Sequence, residues 1–203
     1  LGVEKMTDMS QDDVMSGLMA AGSDEERQAG ATFPGIYALM AQSYMERFNV
    51  PEKYLAGVPV KNHYHGSLNN KAQFRSTVTI EDVLNSTKIA DPLKLLDCSP
   101  VSDGAAAIVI TSVKRENRIT ASEIGTNTLS LADRKTFTSL QAVKTASQNA
   151  YKKTGIKPEN IDVAEIHDCF SIAEVLAMED LGFSKEGMGA QDIYKGKFTL
   201  GSK

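Results

Sequence analysis

No apolar run in this 203-residue chain approaches the length of a helical membrane span, so a helical membrane protein is excluded. There is no basic surplus either. The 22 Lys and Arg face 26 Asp and Glu, and a net charge of −4 leaves no electrostatic footprint for nucleic acid. Cysteine is scarce: Cys98 and Cys169 form neither a zinc-ligand spacing nor a disulfide framework, and a reducing, cytoplasmic setting is expected. Neither end reads as a signal peptide, and the chain has no internal repeat or low-complexity segment. Tryptophan is absent, which excludes nothing. Hydrophobic and charged fractions of 41% and 24% are ordinary for a globular chain of one or two domains, against disorder or a fibrous protein.

The most informative feature present is His167-Asp168-Cys169-Phe170. Residues 163–166 (Val-Ala-Glu-Ile) read as a short strand after the turn Lys157-Pro158-Glu159-Asn160. A helix follows at once. Ser171 is a natural N-cap and Glu174 completes a capping box; Ile172, Val175, Leu176 and Leu181 make an apolar face, and Gly182 suits the C-cap. A strand–turn–helix junction holds side chains at the open end of a sheet, where α/β proteins bind ligands. One of three histidines and one of two cysteines lie there. On composition alone, a Cys beside Phe is a small buried hydrophobe and a His at a strand end is a satisfied polar group.

Upstream, residues 1–6 read as the end of a strand, 10–20 as a short helix, and 23–30 as a polar loop. Ile36, Met40, Tyr44 and Phe48 recur at helical spacing. Asn49-Val50-Pro51 can cap and start another helix, which Pro59 breaks near residues 57–59. Residues 80–86 read as a short helix or turn, 105–111 as a buried strand, and 120–129 as a further strand. Leu140, Val143, Ala146, Ala150 and Tyr151 line a helix ended by Gly155. His63 and His65 would diverge by about 200° on a helix and could not chelate one metal, so no metal site is expected. Cys98 reads as a core residue, Met15, Met19, Met40 and Met45 as helix-face packing, and Lys152-Lys153 as a solvated helix end.

Residues 164–174, around HDCF, resemble the signature of thiolases of the sterol-carrier-protein type and their archaeal relatives. Residues 62–75 (NHYHGSLNNKAQFR) resemble that family's loop-domain signature, and 91–107 (DPLKLLDCSPVSDGAAA) the segment that re-enters its core sheet. The resemblance implies the α/β fold of a partial αβαβα thiolase sandwich with a mainly helical loop domain inserted between core strands. Residues 1–6 and 98–117 would belong to the N-terminal half, 7–97 to the loop domain covering coenzyme A, and 118–203 to the start of the C-terminal half. The helix bearing the family's nucleophilic cysteine, the GHP motif and the CxG motif are not in this sequence. The expectation is therefore the middle of a thiolase, inactive by itself.

The same resemblance implies acetyl-CoA C-acetyltransferase activity: two acetyl-CoA to acetoacetyl-CoA plus CoA, or the reverse, with short substrates and a biosynthetic role such as the mevalonate pathway. Such chemistry needs a thiolate nucleophile, a proton-transfer group and donors to the thioester oxyanion. By motif position, His167 would serve the oxyanion hole through a held water, Cys169 would shuttle a proton, and Phe170 would wall the acyl pocket. Asp168 would brace the turn. Ser99 would contact the pantetheine arm, and Phe33 would line it. No cofactor is implied beyond coenzyme A thioesters as substrates. The partners implied are a second copy of the chain, a hydroxymethylglutaryl-CoA synthase and a small zinc-bearing bridging protein. The alternative is a non-catalytic CoA-binding or assembly subunit of an acyltransferase complex, because the nucleophile lies outside the sequence.

Overall fold

Local capping chemistry sets most helix starts. In the computed structural model, which describes residues 1–202, α1 (Gln11–Met19) is capped by Ser10 Oγ accepting from Asp13 N at 3.2 Å. The stretch expected as a polar loop instead contains α2 (Asp24–Gln28). Ser23 and Glu26 form a reciprocal capping box that supplies the helix with the partners a short polar segment otherwise lacks. Helix α3 (Phe33–Phe48) has Thr32 as N-cap and Pro34 in its first turn, and ends where Asn49 turns left-handed at φ 52°. Next come α4 (Glu52–Leu55) and α5 (Gly57–Ser67), separated at Ala56. Pro59 lies in the first turn of α5, where its missing N–H breaks no intrahelical bond, so the expected break falls in place.

A short helix α6 (Ile80–Asn85), capped by Thr79 and Asp82, leads to a hairpin of β2 (Lys88–Ala90) and β3 (Leu93–Lys94). Strand β1 (Gly2–Glu4) pairs antiparallel with β4 (Gly104–Ala106), Val3 opposite Ala105. Helices α7 (Gln141–Thr154), α8 (Ser171–Asp180) and α9 (Gly189–Tyr194) complete the order.

Three strand expectations need correction. The run 105–111 is extended only to Ala106 and is exposed, with Val109 at 92%. Residues 120–129 and 163–166 form no strand, and Ile124 and Val163 face solvent. A strand requires a neighbour along at least one edge. Among the described residues, β1 supplies only three positions for β4, and nothing pairs with the other two runs. Apolar, β-branched sequence was there without a ladder to join.

The core is consequently helical. Helix α8 is buried at every position from Ser171 to Met178; Ile172, Val175 and Leu176 meet Met40 and Tyr44 of α3, Val58 of α5, Leu93 of β3 and Ile193 of α9. Each such side chain contributes about 1.5–3 kcal/mol of burial. Polar anchors fix the helices around α8. Glu179 accepts from Gly187 N (3.0 Å), Gly189 N (2.8 Å) and the Tyr44 hydroxyl; Asp180 accepts from Ser139 Oγ (2.9 Å) and Leu140 N (2.5 Å) at the entry to α7. Helix α8 ends in a Schellman motif, Gly182 N donating to Glu179 O and Phe183 N to Met178 O, with Gly182 at φ 84°.

At the end of α7, Gly155 sits at φ 73°, and a β-carbon there would meet nothing within 4 Å. Gly155→Ala therefore tests backbone strain alone. Urea unfolding should show a loss of about 1–2 kcal/mol at unchanged m-value.

Candidate active site

The His167–Phe170 turn is held against the segment that follows β3. A 3₁₀ turn (Leu95–Asp97) delivers Cys98 and Ser99 alongside the turn. Cys98 and Phe170 form an antiparallel bridge, and Ser99 N donates to Cys169 O at 3.0 Å. Ser171 Oγ donates to Asp97 Oδ1 at 2.6 Å, and Asp97 Oδ2 accepts from Lys94 N at 3.0 Å. The capping box expected at Ser171 and Glu174 is absent. Phe170 is the N-cap, Ser171 is the first helical residue, and both polar side chains take buried partners from other segments.

One cavity meets the turn, and a second lies beyond the aromatic side chains that pack on Phe170. The larger, about 300 Å³, is bounded by Ser99, Asp168 and Ser171 on one side and by Asn62, His63 and Phe74 on the other. The smaller, about 230 Å³, lies between Phe33, Tyr37 and Met40 of α3 and Leu131, Arg134 and Leu140. The Phe170 ring bridges toward the smaller one, with centroids 4.7 Å from Tyr37 and 5.6 Å from Phe33. Ser99 and Phe33 thus border different cavities, with the HDCF turn between them. Cys169 is 6% exposed and lines neither cavity; Tyr37, whose ring packs on Phe170, is near enough to influence its thiol. His167 is on the exposed side of the turn and also lines neither.

Burial pushes the Cys169 thiol above its usual pKa, against hydrogen bonds from Tyr37 and from the Phe170 backbone that favour the thiolate. Cys169 is thus a protonated thiol at neutral pH, suited to giving a proton and unsuited to resting as a nucleophile. Cys98, whose Sγ donates to Lys94 O at 3.3 Å, is pushed up to about 11 by burial, Asp97 and Cys169. Tyr37 is raised by burial and by Cys169.

Beneath the turn lies a buried polar network that single-residue reading missed. Lys61 Nζ lies 2.9 Å from Glu174 Oε1, an ion pair outside hydrogen-bond alignment, with side chains 9% and 2% exposed. Lys61 also donates to Asn62 Oδ1 at 2.5 Å. Asn62 Nδ2 donates to Asp168 Oδ2 at 2.7 Å and to Glu174 Oε2 at 2.8 Å. Burial raises Glu174; Lys61 and Asn62 oppose this, and Asp168 adds to it. Asp168 is thereby tied to α5 directly and to α8 through Asn62, which fixes the turn carrying His167 and Cys169. Lys61 and Asn62 stand immediately before His63, and Tyr37 one helical turn after Phe33, so their adjacency to known candidates was the available signal.

The other histidines part company. His63 Nδ1 is 2.9 Å from Ser76 O, whereas His65 Nε2 accepts from Leu200 N at 3.1 Å. Burial and the nearby Lys61 lower the His65 pKa. Among the described residues no group of three or more His, Cys, Asp or Glu converges, and no helix is long and apolar enough to cross a membrane.

Comparison with known proteins places this geometry. The acetyl-CoA acetyltransferase of Methanocaldococcus jannaschii is 44% identical over 210 residues, which cover 98% of this chain and 53% of that protein. The acetyl-CoA acetyltransferase of Methanothermobacter thermautotrophicus is 43% identical over 202 residues, covering 96% and 52%. The chain thus spans about half the length of the relatives it matches. The solved Ltp2-ChsH2(DUF35) aldolase superposes with a TM-score of 0.73 at 23% identity, over 98% of this chain and 54% of that one, a likeness of fold. Residues 1–114 match the model of the thiolase N-terminal domain and 124–203 that of the thiolase C-terminal domain-like family. With both domain models matched in order and the HDCF turn closing on the Ser99 segment, the chain belongs to the thiolase family, as part of its α/β fold.

Proposed function

We propose that the complete protein carrying this chain is an acetyl-CoA C-acetyltransferase that makes or cleaves acetoacetyl-CoA. The observation that carries this reading is the buried Cys169 on a turn that also presents His167 and is held against the Ser99 segment, Ser99 N donating to Cys169 O. In the cleavage direction, a thiolate outside this sequence attacks the 3-keto carbon. The C–C bond breaks, Cys169 gives its proton to the departing acetyl-CoA carbanion, and CoA then takes the acyl group from the enzyme. His167 supports the thioester oxygen as negative charge develops there. Phe170 walls the acyl end, Ser99 meets the pantetheine arm from the larger cavity, and Phe33 meets it where it approaches Phe170. Residues 7–97 act as the CoA-covering loop domain between parts of the N-terminal half (1–6 and 98–117), and 118–203 begin the C-terminal half. A homodimer, a hydroxymethylglutaryl-CoA synthase and a small zinc-bearing bridging protein are the partners of this reading, in the cytoplasm.

The test is acetoacetyl-CoA consumption by the complete protein with CoA, alongside calorimetric CoA binding. Turnover yielding two acetyl-CoA is expected. CoA binding without turnover of any 3-oxoacyl-CoA would instead make the protein a non-catalytic CoA-binding subunit.

A further inference from the structure

Asn62 stands where α5 meets the HDCF turn, and charged groups engage its whole amide. Its Nδ2 donates to two different carboxylates, Asp168 Oδ2 at 2.7 Å and Glu174 Oε2 at 2.8 Å, while its Oδ1 accepts from Lys61 Nζ at 2.5 Å. The charges fix which way the amide points. A flipped amide would set Oδ1 against both carboxylates and Nδ2 against the ammonium, losing all three bonds. The amide therefore stands between two carboxylates that repel each other, Asp168 being among the groups that raise the Glu174 pKa.

The turn depends on this contact unevenly. Its second half is held by backbone: Ser99 N donates to Cys169 O, and Cys98 bridges Phe170. Its first half has no such support. Residues 163–166 form no strand, His167 is exposed, and among the described residues the one hydrogen bond to the Asp168 side chain comes from Asn62. Asp168 lies between His167 and Cys169 in the chain, so the contact that orients it bears on both neighbours.

We propose that Asn62 is a positioning residue for the acyl-transfer reaction: by holding Asp168 beside Glu174 it sets the placement of His167 and Cys169, so that the segment proposed to cover CoA also shapes the reacting end of the site. The inference rests on the thiolase reading above. Asn62 acts through Asp168, and its amide neither gives nor takes a proton. Misplacing a reacting group by about 1 Å can cost about 10²-fold in rate, which sets the scale of the expected loss.

The experiment measures steady-state thiolysis of acetoacetyl-CoA by the complete wild-type protein, Asn62→Ala, Asn62→Gln, Asp168→Ala and the paired variant Asn62→Ala with Asp168→Ala. Calorimetric CoA binding and amide hydrogen exchange are read on each. Asn62→Ala should lose about 10- to 100-fold in kcat, with KM and CoA affinity close to wild type. Asn62→Gln, which keeps the amide on a longer arm, should fall between. The paired variant should lose little more than Asp168→Ala alone. Hydrogen exchange should quicken at residues 167–170 and stay unchanged in α3 and α7. Asn62 also lines the larger cavity, so a raised KM and weakened CoA binding at unchanged kcat would make it a CoA contact and overturn the proposal. Unchanged kcat in the folded variant, or losses that multiply in the paired variant, would overturn it too. If the wild type turns over no 3-oxoacyl-CoA, the thiolase reading fails and hydrogen exchange alone decides. Faster exchange at 167–170 then leaves Asn62 as the residue that places the turn, and unaltered exchange removes it. Thermal unfolding separates misfolding from misplacement; if Asn62→Ala is unfolded, Asn62→Gln, alone and paired with Asp168→Ala, carries the same comparison.

Discussion

Cys169→Ala in the complete protein should slow acetoacetyl-CoA thiolysis and condensation by about 10²- to 10⁴-fold, the usual contribution of a positioned proton-transfer group. The effect should be selective. Acyl transfer from acetyl-CoA to the enzyme's nucleophile needs no proton at carbon, so the acyl-enzyme should still form and be detectable as an added acetyl mass. Exchange of the acetyl-CoA methyl protons with D₂O should be lost in parallel with turnover. The pKa of Cys169 is raised mainly by burial, so the thiol is the form present at neutral pH in the free protein. Tyr37→Phe removes a hydrogen bond that favours the thiolate, so this variant should need higher pH to reach the thiolate form required to take a proton in condensation.

Lys61→Met should cost about 3–5 kcal/mol of folding stability at neutral pH, because it leaves Glu174 charged and unpaired among buried groups. The loss should depend on pH in a defined direction. The folded pKa of Glu174 lies above its unfolded value. Between those two values the native state holds a proton that the unfolded state has released, so this group's contribution to stability falls as pH rises through the window. Removing Lys61 removes the strongest influence opposing the rise and widens the window upward. The variant should therefore be more destabilised at about pH 8 than at about pH 5 in chemical unfolding, because protonation near pH 5 relieves the stranded charge. Lys61→Met combined with Glu174→Gln should recover much of the loss. A pH-independent cost would mean that Lys61 contributes packing and not charge.

How far the sequence could be read depended on whether a segment's partners were local. Helix α3 follows from Ile36, Met40, Tyr44 and Phe48, α7 from its apolar stripe and Gly155, and the break before α5 from Pro59, because helices satisfy their own backbone. The strands at 120–129 and 163–166 did not form and that at 105–111 formed only to Ala106, since a strand's hydrogen bonds come from elsewhere and no other described residue supplies them. The Ser23–Glu26 box has the same spacing as Ser171–Glu174, yet only the first is made. Ser171 and Glu174 are drawn to Asp97, Asn62 and Lys61, partners no local rule reveals. The HDCF turn was legible as a motif. Its supports Lys61, Asn62 and Tyr37 were not, because they approach it only across the fold.

The most direct measurement of the central claim, that acyl transfer is centred on the HDCF turn, is steady-state thiolysis by complete His167→Ala and His63→Ala proteins side by side. His167→Ala should lose about 10²- to 10³-fold in kcat with little change in KM, since an oxyanion donor acts chiefly as charge develops. His63→Ala, altering a side chain at the edge of the larger cavity, should stay close to wild type in kcat. Near-full kcat in His167→Ala together with a dead His63→Ala would place the active centre on the wrong motif.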